Sequence, residues 1–573
     1  MNVLYMSVPL AYVIREWEKT PNEPVFFDTE AGGLGIDTVM AQFKMESWEQ
    51  ALIVEYPDIP ALREFLAKIH MVAFPIAFDA WALDVQPKKI DCMYIASKSA
   101  YPLLNDHGLA TVAPQFFYGV VKKTLQKSFI KSKQVFTEEQ LQYGARDVYA
   151  LEWIWQQPKI QHVILNNLSY MVDIKNQWYA LNFQHNGMPV IDSEWKEAYA
   201  STEKKRIDCQ ARVDELVGFE LNVKSWQQKQ KAFPELPIDK TTGKIPTGEP
   251  AFKKLYLDTG KEVYQQVMDT TKRRTELQDL AKYETSYIPN EKPVRIRTCF
   301  NVAGAITGRY TSKGGDRVGY TNIQNIGRHF KHVFGYEEGV ERKIISADYS
   351  TAELIAGCEI MKIDSMRDLI MEGIDLHKAM ASNITKKPIA EIVKEERQGA
   401  KAVNFGYLFG LGIEKFQIYA YDTYGVKLTI DECKEYKAIY YEAHPEIAVY
   451  HRQMAKNIKK PNFLVHTALG RVVHPDRYAD ALNIPVQGTI GETTKMAENF
   501  LFEDYPSLMK EGMLINMVHD SIILDFPDKY VEDAADALEK SMKLGWTEIS
   551  KSRLFHYHDL PMGVEVDTAM CFK

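Results

Sequence analysis

Cysteine is scarce in this sequence, and the spacing of the few cysteines argues against the usual structural uses of the residue. Six cysteines stand at positions 92, 209, 299, 358, 433 and 571 of 573 residues. No two have Cys-x-x-Cys spacing, so we expect neither a zinc site nor a disulfide framework. Free cysteines are typical of a reducing compartment, and we expect the protein in the cytoplasm.

Long apolar runs and a dominant charge are missing as well. No stretch approaches 18 uninterrupted apolar residues, so we expect no membrane-spanning helix. The N-terminal segment lacks the basic region, apolar core and cleavage site of a secretion signal. The formal net charge of −8 neither indicates nor excludes nucleic-acid binding, because a local basic groove binds phosphate and the average charge does not.

The order of predicted elements indicates an α/β (α+β) protein with two or more domains. Residues 1–165 alternate short apolar runs with helical stretches, which is typical of an α/β domain. Residues 193–290 are predicted to be largely helical, with a polar loop at 241–250. Helices are predicted again over 360–460, and strands and helices mix from 463 onward.

Acidic residues near the ends of predicted elements in the N-terminal domain suit a metal centre. Asp28 and Glu30 lie two apart on a strand and so face the same way. Asp79 ends another apolar run, and Tyr143 and Asp147 share one helical face. Four carboxylates suit two Mg²⁺ ions that activate a water and stabilise the leaving oxygen of a phosphodiester, and Tyr143 could orient that water. Taken singly, each acid could equally be a helix cap or a surface residue.

A predicted helix in the second half carries side chains that suit a nucleotide. Arg397, Lys401 and Phe405 recur every four residues and therefore share a face. The two cations suit phosphates, and the ring suits a base or sugar. An amphipathic helix with solvated Arg and Lys would give the same pattern. The GxxxxGK[ST] loop of other triphosphate-binding proteins is absent.

Two further acids lie beside predicted strands. Asp348 ends the apolar run of KIISADYSTAEL, and Asp520 sits in the turn predicted within INMVHDSIILDF. If the two places meet, the carboxylates repel one another unless cations bind between them. Two Mg²⁺ ions would remove the repulsion. One would lower the pKa of a primer 3′-hydroxyl, and the other would hold the triphosphate.

In this order, DYSTAEL, RQGAKAVNFGYLFG and VHDS resemble motifs A, B and C of the family A (polymerase I-like) DNA polymerases. The shorter stretches TGR, NIQN, TALGR and NIPVQG agree with that resemblance. The N-terminal acids resemble those of DnaQ-like 3′–5′ exonucleases, although Pro75 stands where that family usually has Asn. The resemblance implies an RNase H-like exonuclease domain (1–165) and a right-hand polymerase domain (166–573). Within the latter it implies a thumb (about 193–300), a palm (about 301–360 and 460–573) and fingers (about 361–459).

The resemblance also implies a role for each matched residue. The metal ligands would be Asp348, Asp520 and the backbone carbonyl of Tyr349 in the polymerase, and Asp28, Glu30, Asp79 and Asp147 in the exonuclease. Each site would take two Mg²⁺ ions, for which Mn²⁺ can substitute. The nucleotide-binding set would be Arg397, Lys401, Phe405, His377, Glu353 and Phe409. Glu353 would act as a steric gate against a 2′-hydroxyl. The DNA-binding set would be Arg309, Gln487, His519, Lys272, Arg273 and Arg274.

Several positions depart from the family pattern. Thr351, Ala352 and Ile355 replace the Gln, Ile and Arg of motif A, and Phe409 replaces a Tyr of motif B. Ser521 replaces the Glu of motif C. Fidelity and nucleotide preference are therefore open. Phe405 in place of Tyr predicts poor use of dideoxynucleotides.

We therefore predict a template-directed DNA polymerase that adds dNTPs to a primer 3′ end by two-metal phosphoryl transfer, with 3′–5′ proofreading, in DNA replication. Its expected partners are primer-template DNA and dNTPs, with no membrane, and we expect a monomer. The alternatives are an exonuclease whose polymerase domain only binds primer-template, and a non-catalytic scaffold. The compact length, with no room for a 5′-nuclease domain, resembles bacteriophage-encoded polymerases, which would act in the host cytoplasm.

Overall fold

The structure is a computed structural model that describes residues 3–31, 38–74, 83, 85–113, 125, 128–129, 135–236, 247–285, 291–313 and 321–572. Within those ranges no helix is both long and apolar enough to cross a membrane. The predicted mixed α/β fold is confirmed, with a sheet-and-helix domain preceding a larger part built on a second sheet.

The N-terminal domain is a mixed sheet flanked by helices. Its strands are β1 (Tyr5–Ser7), β2 (Pro24–Ala31), β3 (Thr38–Lys44), β4 (Ala51–Glu55), β5 (His70–Ala73) and β6 (Lys89–Cys92), in the spatial order β1-β4-β3-β2-β5-β6. β3 runs antiparallel to β2 and β4, whereas β1 is parallel to β4 and β5 is parallel to β2 and β6. The helices are α1 (Leu10–Trp17), α2 (Ile59–Leu66), α3 (Met93–Ala100), α4 (Leu109–Val112), α5 (Glu138–Trp155) and α6 (Pro158–Asn166).

The next helix, α7 (Leu168–Asn186), belongs to both halves of the molecule. Tyr170 and Leu181 pack into the apolar core of the N-terminal domain. Val172 and Phe183, on other faces of the same helix, pack into the core of the C-terminal part. A helix with apolar residues on several faces has to be buried all round, which explains why α7 lies between the two cores.

The segment that the sequence predicts to be the thumb is helical. It contains α8 (Asp192–Val217), α9 (Trp226–Ala232), α10 (Glu249–Thr259) and α11 (Glu262–Thr285), which we call the thumb helices. α8 and α11 pack lengthwise on each other. At their base, Trp195 and Leu280 share a core with Phe330 and Ile515 of the sheet region.

The C-terminal sheet is antiparallel, in the order β14-β15-β11-β16. Its strands are β11 (Arg342–Ser350), β14 (Met513–Val518), β15 (Ser521–Pro527) and β16 (Gly563–Ala569). We call it the palm sheet, and α12 (Ala352–Met361), α19 (Tyr478–Asp504) and α20 (Val531–Ile549) pack with it in one core. The predicted strand, turn and strand of INMVHDSIILDF are confirmed.

The short strands around the palm are β7 (Met188–Pro189), β8 (Arg295–Ile296), β9 (Cys299–Asn301), β10 (Thr311–Lys313), β12 (Val465–His466) and β13 (Val472–Val473).

Helices occupy the segment predicted to be the fingers. They are α13 (Asp364–Met371), α14 (Leu376–Thr385), α15 (Lys394–Leu408), α16 (Ile413–Tyr424), α17 (Ile430–Ala443) and α18 (Pro445–Asn457), which we call the fingers helices. Buried Val403 and Tyr407 of α15 share a core with Leu354 of α12, so the base of the fingers is fixed to the palm.

A buried ionic network ties α7 to the palm. Asp173 of α7 accepts hydrogen bonds from Lys495, at 2.5 Å, and from Arg471. Lys495 also donates to the carbonyl of Gly308 at 2.6 Å. All three charged side chains are almost completely buried, and removing one would leave another charge unpaired in a low-dielectric core. The network therefore fixes the backbone beside Arg309.

Glu498 of α19 makes the folding stability of this core depend on pH. Burial raises its pKa to about 8, although a hydrogen bond from Tyr310 and the charge of Lys495 oppose the shift. Between pH 4.5 and about 8 the folded chain keeps a proton that the unfolded chain has lost, so stability falls as the pH rises through this window. We expect the free energy of unfolding of Glu498→Gln to equal that of the wild type at pH 5. At pH 9 it should be larger than that of the wild type by about 1–3 kcal/mol.

Urea unfolding at the two pH values checks this expectation. Glu503→Gln, on an exposed position of the same helix, is the matched control and should show no such difference. An equal effect of Glu498→Gln at pH 5 and pH 9 would contradict it.

Candidate active sites

The palm sheet brings together the two acids predicted to bind the polymerase metals. Asp348 lies on β11, two residues before the strand ends, and Asp520 lies in the turn between β14 and β15. β11 pairs with β15 up to Ala347 and Ile522, which places Asp348 beside this turn. His519 has φ +59°, a left-handed conformation that a tight two-residue turn requires. The local sequence thus sets the geometry of the pair.

Electrostatics show that the two carboxylates interact. Burial and the charge of Asp520 raise the pKa of Asp348 to about 7. Burial also raises the pKa of Asp520, although the guanidinium of Arg309 opposes the shift. Ser521, which stands where the family has Glu, donates a hydrogen bond to Asp348. Two acids whose charged forms repel one another suit a cation between them.

Cations line the same place, and sequence reasoning missed two of them. Arg328 and Lys331 lie three apart on a short 3₁₀ helix (Arg328–Val333), where residues at this spacing share a face. Burial lowers the pKa values of both Lys331 and Lys401, and the nearby charge of Arg328 lowers them further. The charge of Asp348 acts on both lysines in the opposite direction. In the sequence, their role could have been inferred from their position just after the NIQN stretch.

Glu565 is a further acid that sequence reasoning missed. It lies on β16 directly opposite Asp348, and its carboxylate accepts a hydrogen bond from Ser350 at 2.9 Å. Its charge also acts on Lys401. Nothing in the sequence marks β16 as the neighbour of β11, because more than 200 residues separate the two positions.

Glu353, in the first turn of α12, is held by the predicted DNA-binding residues. Arg309 donates to its carboxylate at 3.5 Å, and Gln487 of α19 donates to it as well. Burial raises the pKa of Glu353, an effect that Arg309 opposes. Thr351 enters α12 with φ +54°. The structure therefore gathers Glu353, Arg309 and Gln487 beside Asp520.

The fingers place the predicted nucleotide-binding residues on one surface. Arg397, Lys401 and Phe405 follow one another along α15. Asp375 caps α14 through the backbone N–H groups of His377 and Lys378 and accepts from Arg397 Nε at 2.8 Å. The ring of Phe405 lies 5.6 Å from that of His377. Asp375 thus fixes both Arg397 and the start of the helix that carries His377.

The His377 side chain is arranged as a hydrogen-bond donor. Its Nδ1 lies 2.9 Å from Nδ2 of Asn404, which also donates to the carbonyl of Leu376, so Nδ1 accepts. The proton is then on Nε2, which is buried and has no partner among the described residues. Burial lowers the pKa of His377 to about 4, so the ring is neutral at pH 7.

The remaining predicted polymerase residues are less closely grouped. Tyr349 is buried, and its hydroxyl donates to the carbonyl of Met542 at 2.8 Å. Phe409 follows α15 and is half-buried against the main core. His519 lies in the turn next to Asp520, and desolvation of its ring, followed by the charge of Arg309, lowers its pKa.

The basic run of the thumb does not form one continuous patch. Lys272, Arg273 and Arg274 are consecutive on α11 and so point in different directions. Arg273 forms an ion pair with Glu276 at 2.8 Å. Arg274 lines a cavity of about 390 Å³ together with Arg206 of α8 and other residues, while Lys272 is exposed. The three residues therefore face different surroundings, and their role as DNA contacts stays a prediction.

In the N-terminal domain, three predicted metal ligands converge. One carboxylate oxygen from each of Asp28, Glu30 and Asp147 lies within 4.8 Å of the others. Burial raises the pKa of Asp28 to about 7. The charges of all three acids, after burial, raise the pKa of Tyr143 far above its usual value, so its hydroxyl lies beside them. Asp79 and Pro75 lie outside the described residues.

The packing of α5 on the sheet explains this convergence. A capping box of Thr137 and Gln140 fixes the start of α5. Gly144 then faces β3, where a Cβ would lie 2.5 Å from Nε2 of Gln42. A side chain there would force the buried ends of Gln42 and Met40 to shift, so glycine lets α5, which carries Tyr143 and Asp147, pack closely on the sheet. Three hard oxygen donors at this spacing fit a divalent cation such as Mg²⁺.

Comparisons with known proteins place the chain in a class: an exonuclease domain followed by a polymerase domain. Residues 3–160 match the model of a 3'-5' exonuclease family. Residues 192–572 match the model of DNA polymerase family A. This match covers more than half of the chain, so the protein belongs to DNA polymerase family A.

Individual relatives agree with that assignment. DNA polymerase I of Aquifex aeolicus is 28% identical over 570 residues, covering 93% of this chain and 94% of that protein. DNA polymerase I of Pseudomonas aeruginosa is 26% identical over 373 residues, covering 59% of this chain but 38% of that protein. Both relatives are bacterial, so they do not support the expected bacteriophage type.

A solved structure shows the same fold. It is described as the POL domain of Pol1 from M. smegmatis in complex with DNA primer-template and dNTP. The two chains superpose with a TM-score of 0.76 at 18% identity, covering 99% of each. At this identity the likeness concerns the fold alone.

Proposed function

We propose that the protein is a template-directed DNA polymerase that adds dNTPs to a primer 3′ end and removes mispaired 3′ nucleotides with its exonuclease domain. The observation that carries the proposal is the pairing of Asp348 and Asp520 on the palm, near Arg397 and Lys401 of the fingers. Two like charges in a cleft fit bound cations, and facing cations fit a triphosphate.

In this proposal Asp348, Asp520 and the carbonyl of Tyr349 would hold two Mg²⁺ ions. When bound, the ions supply a lowered pKa for the primer 3′-hydroxyl and charge neutralisation for the leaving pyrophosphate. Ser521 orients Asp348 through its hydrogen bond. Ser521 therefore has a role of its own, although it replaces the Glu of motif C.

The chain's own residues would position the nucleotide. Arg397 and Lys401 bind phosphate oxygens, and the unpartnered Nε2–H of His377 donates to another. Phe405 covers the base or sugar. Glu353, held by Arg309 and Gln487, would act as the steric gate against a 2′-hydroxyl, so deoxynucleotides are favoured.

The exonuclease site would act in the opposite direction. Asp28, Glu30 and Asp147 hold divalent cations, with Asp79 expected to complete the set. When bound, these cations supply an activated water and stabilise the leaving 3′ oxygen. Tyr143, whose hydroxyl lies among the acids, orients the attacking water.

Primer extension on a labelled primer-template tests the proposal. With Mg²⁺ and four dNTPs the primer should lengthen, and with one dNTP withheld it should stop where the template calls for that base. Without dNTPs it should shorten, and EDTA should prevent both reactions. Shortening with no lengthening would support the alternative, an exonuclease whose polymerase domain only binds primer-template.

A further inference from the structure

The tips of the thumb and fingers touch each other. Lys253 of α10 forms an ion pair with Asp422 of α16. The hydroxyl of Tyr421, also on α16, donates to Oε1 of Gln265 on α11 at 2.6 Å. These contacts join two subdomains that are otherwise fixed to the palm at their opposite ends.

A second pair of contacts lies beside the first. Lys427, three residues after α16, donates to the hydroxyl of Tyr256 at 2.5 Å, and its ammonium lies 4.3 Å from the centre of that ring. The rings of Tyr256 and Tyr421 lie 5.8 Å apart. We call Lys253, Tyr256 and Gln265 with Tyr421, Asp422 and Lys427 the thumb–fingers clasp.

The helix that carries half of the clasp also borders the polymerase site. The charge of Glu353 acts on Tyr419 and Tyr424, whose hydroxyls lie 3.4 Å apart. At about 100° per residue, Tyr421 and Asp422 lie on the face of α16 opposite to those two tyrosines. The thumb tip is therefore about one helix diameter, roughly 10–12 Å, from the Glu353 side of the site.

At the clasp, the gap between the tips of the thumb and fingers is closed. A duplex needs a passage wider than its major groove, which alone is about 12 Å across. Thumb and fingers surfaces that are in hydrogen-bond contact leave no such passage between them. A primer-template that enters the cleft between the two tips therefore has to open the clasp.

The charges of the clasp suit displacement by nucleic acid. Lys253 is 8% exposed and is neutralised by two carboxylates, those of Asp422 and of Glu249, the latter at 3.1 Å. A phosphodiester backbone carries the same charge sign as these carboxylates. It therefore competes with Asp422 for the ammonium of Lys253, and with the Tyr256 hydroxyl for that of Lys427.

We propose that the thumb–fingers clasp is an autoinhibitory contact that holds the cleft shut in the DNA-free protein and that the backbone of an incoming primer-template displaces. The inference rests on the proposed function, because it takes primer-template DNA as the ligand of the cleft. The clasp sets the rate of DNA entry and does not alter nucleotide addition once DNA is bound.

Stopped-flow association of a fluorescent primer-template, in Ca²⁺ to prevent turnover, tests the clasp in the full chain. Asp422→Asn removes the ion pair, and Tyr421→Phe removes one hydrogen bond while keeping the ring. Each should raise the association rate constant about three- to tenfold. The single-turnover rate of nucleotide addition at saturating DNA should stay at the wild-type value. The gain should shrink at high salt, because screening opens the wild-type ion pair as well.

Glu435→Gln is the matched control. It makes the same change of net charge on the exposed face of α17, the neighbouring fingers helix. An Asp422→Asn rate no higher than that of Glu435→Gln would overturn the clasp. Unchanged association with faster dissociation would also overturn it and would indicate a ring that retains bound DNA. Failure of the wild type to extend primers would refute the proposed function instead. The order of the DNA association rates of the wild type and its variants would still test the clasp.

Discussion

Alanine in place of Asp348 or Asp520 should abolish primer extension while leaving 3′ shortening of the primer intact. Each acid is one of the pair that the palm sheet brings together. Loss of either proposed metal ligand would remove charge stabilisation that amounts to several kcal/mol in metal-assisted phosphoryl transfer. The rate of nucleotide addition should therefore fall about 10³-fold or more.

The same variants should not lose stability without metal. In the metal-free protein burial and the charge of Asp520 raise the pKa of Asp348, so removing one carboxylate removes both a buried acid and a repulsion. Melting temperatures in EDTA should equal or exceed that of the wild type. Asp528→Ala, an exposed acid just after β15, is the control and should extend primers normally. Extension by Asp520→Ala at a wild-type rate would rule out its proposed role.

Replacing Asp28 and Glu30 together with alanine should have the complementary effect. These acids supply two of the three carboxylate oxygens gathered within 4.8 Å in the N-terminal domain. Shortening of a labelled primer should slow about 10³-fold or more. Extension should continue at the wild-type rate, because the palm is untouched, and mismatched 3′ ends should persist longer.

Glu64→Ala is the matched control for the exonuclease variant. Glu64 lies exposed on α2 of the same domain and pairs only with its neighbour Lys68 among the ion pairs described. Its removal should leave both activities unchanged. If the Asp28/Glu30 variant still shortened primers at the wild-type rate, the carboxylate cluster would not be the site of hydrolysis.

Much of the palm could be predicted from sequence because its signals are local. The apolar runs on either side of His519 and Asp520 predicted two strands and a turn, and β14 and β15 have that form. Four-residue spacing likewise placed Arg397, Lys401 and Phe405 along α15. Periodicity reports which side of an element a residue occupies, and these residues needed no more than that.

What could not be predicted depends on partners that are distant in the chain. Glu565 faces Asp348 only because β16 pairs with β11. Lys495 looks like a surface lysine in sequence, yet it is buried against Asp173, more than 300 residues earlier. Lys253 and Asp422 are similarly remote from each other. A single sequence contains no signal for such pairings, because they depend on the topology and not on local pattern.

The place of α7 in both cores has a consequence for protein engineering. Because Tyr170 packs with the N-terminal core and Phe183 with the C-terminal one, neither half has a complete interior without this helix. A chain cut after α7 would leave the second fragment with an open apolar groove, and a cut before it would do the same to the first. A chimera that exchanges the N-terminal domain should therefore include α7. The face of α7 that packs on the C-terminal core should then be redesigned to fit the core of the recipient. Limited proteolysis would be expected to spare this junction, since the two halves share one cooperative unit there.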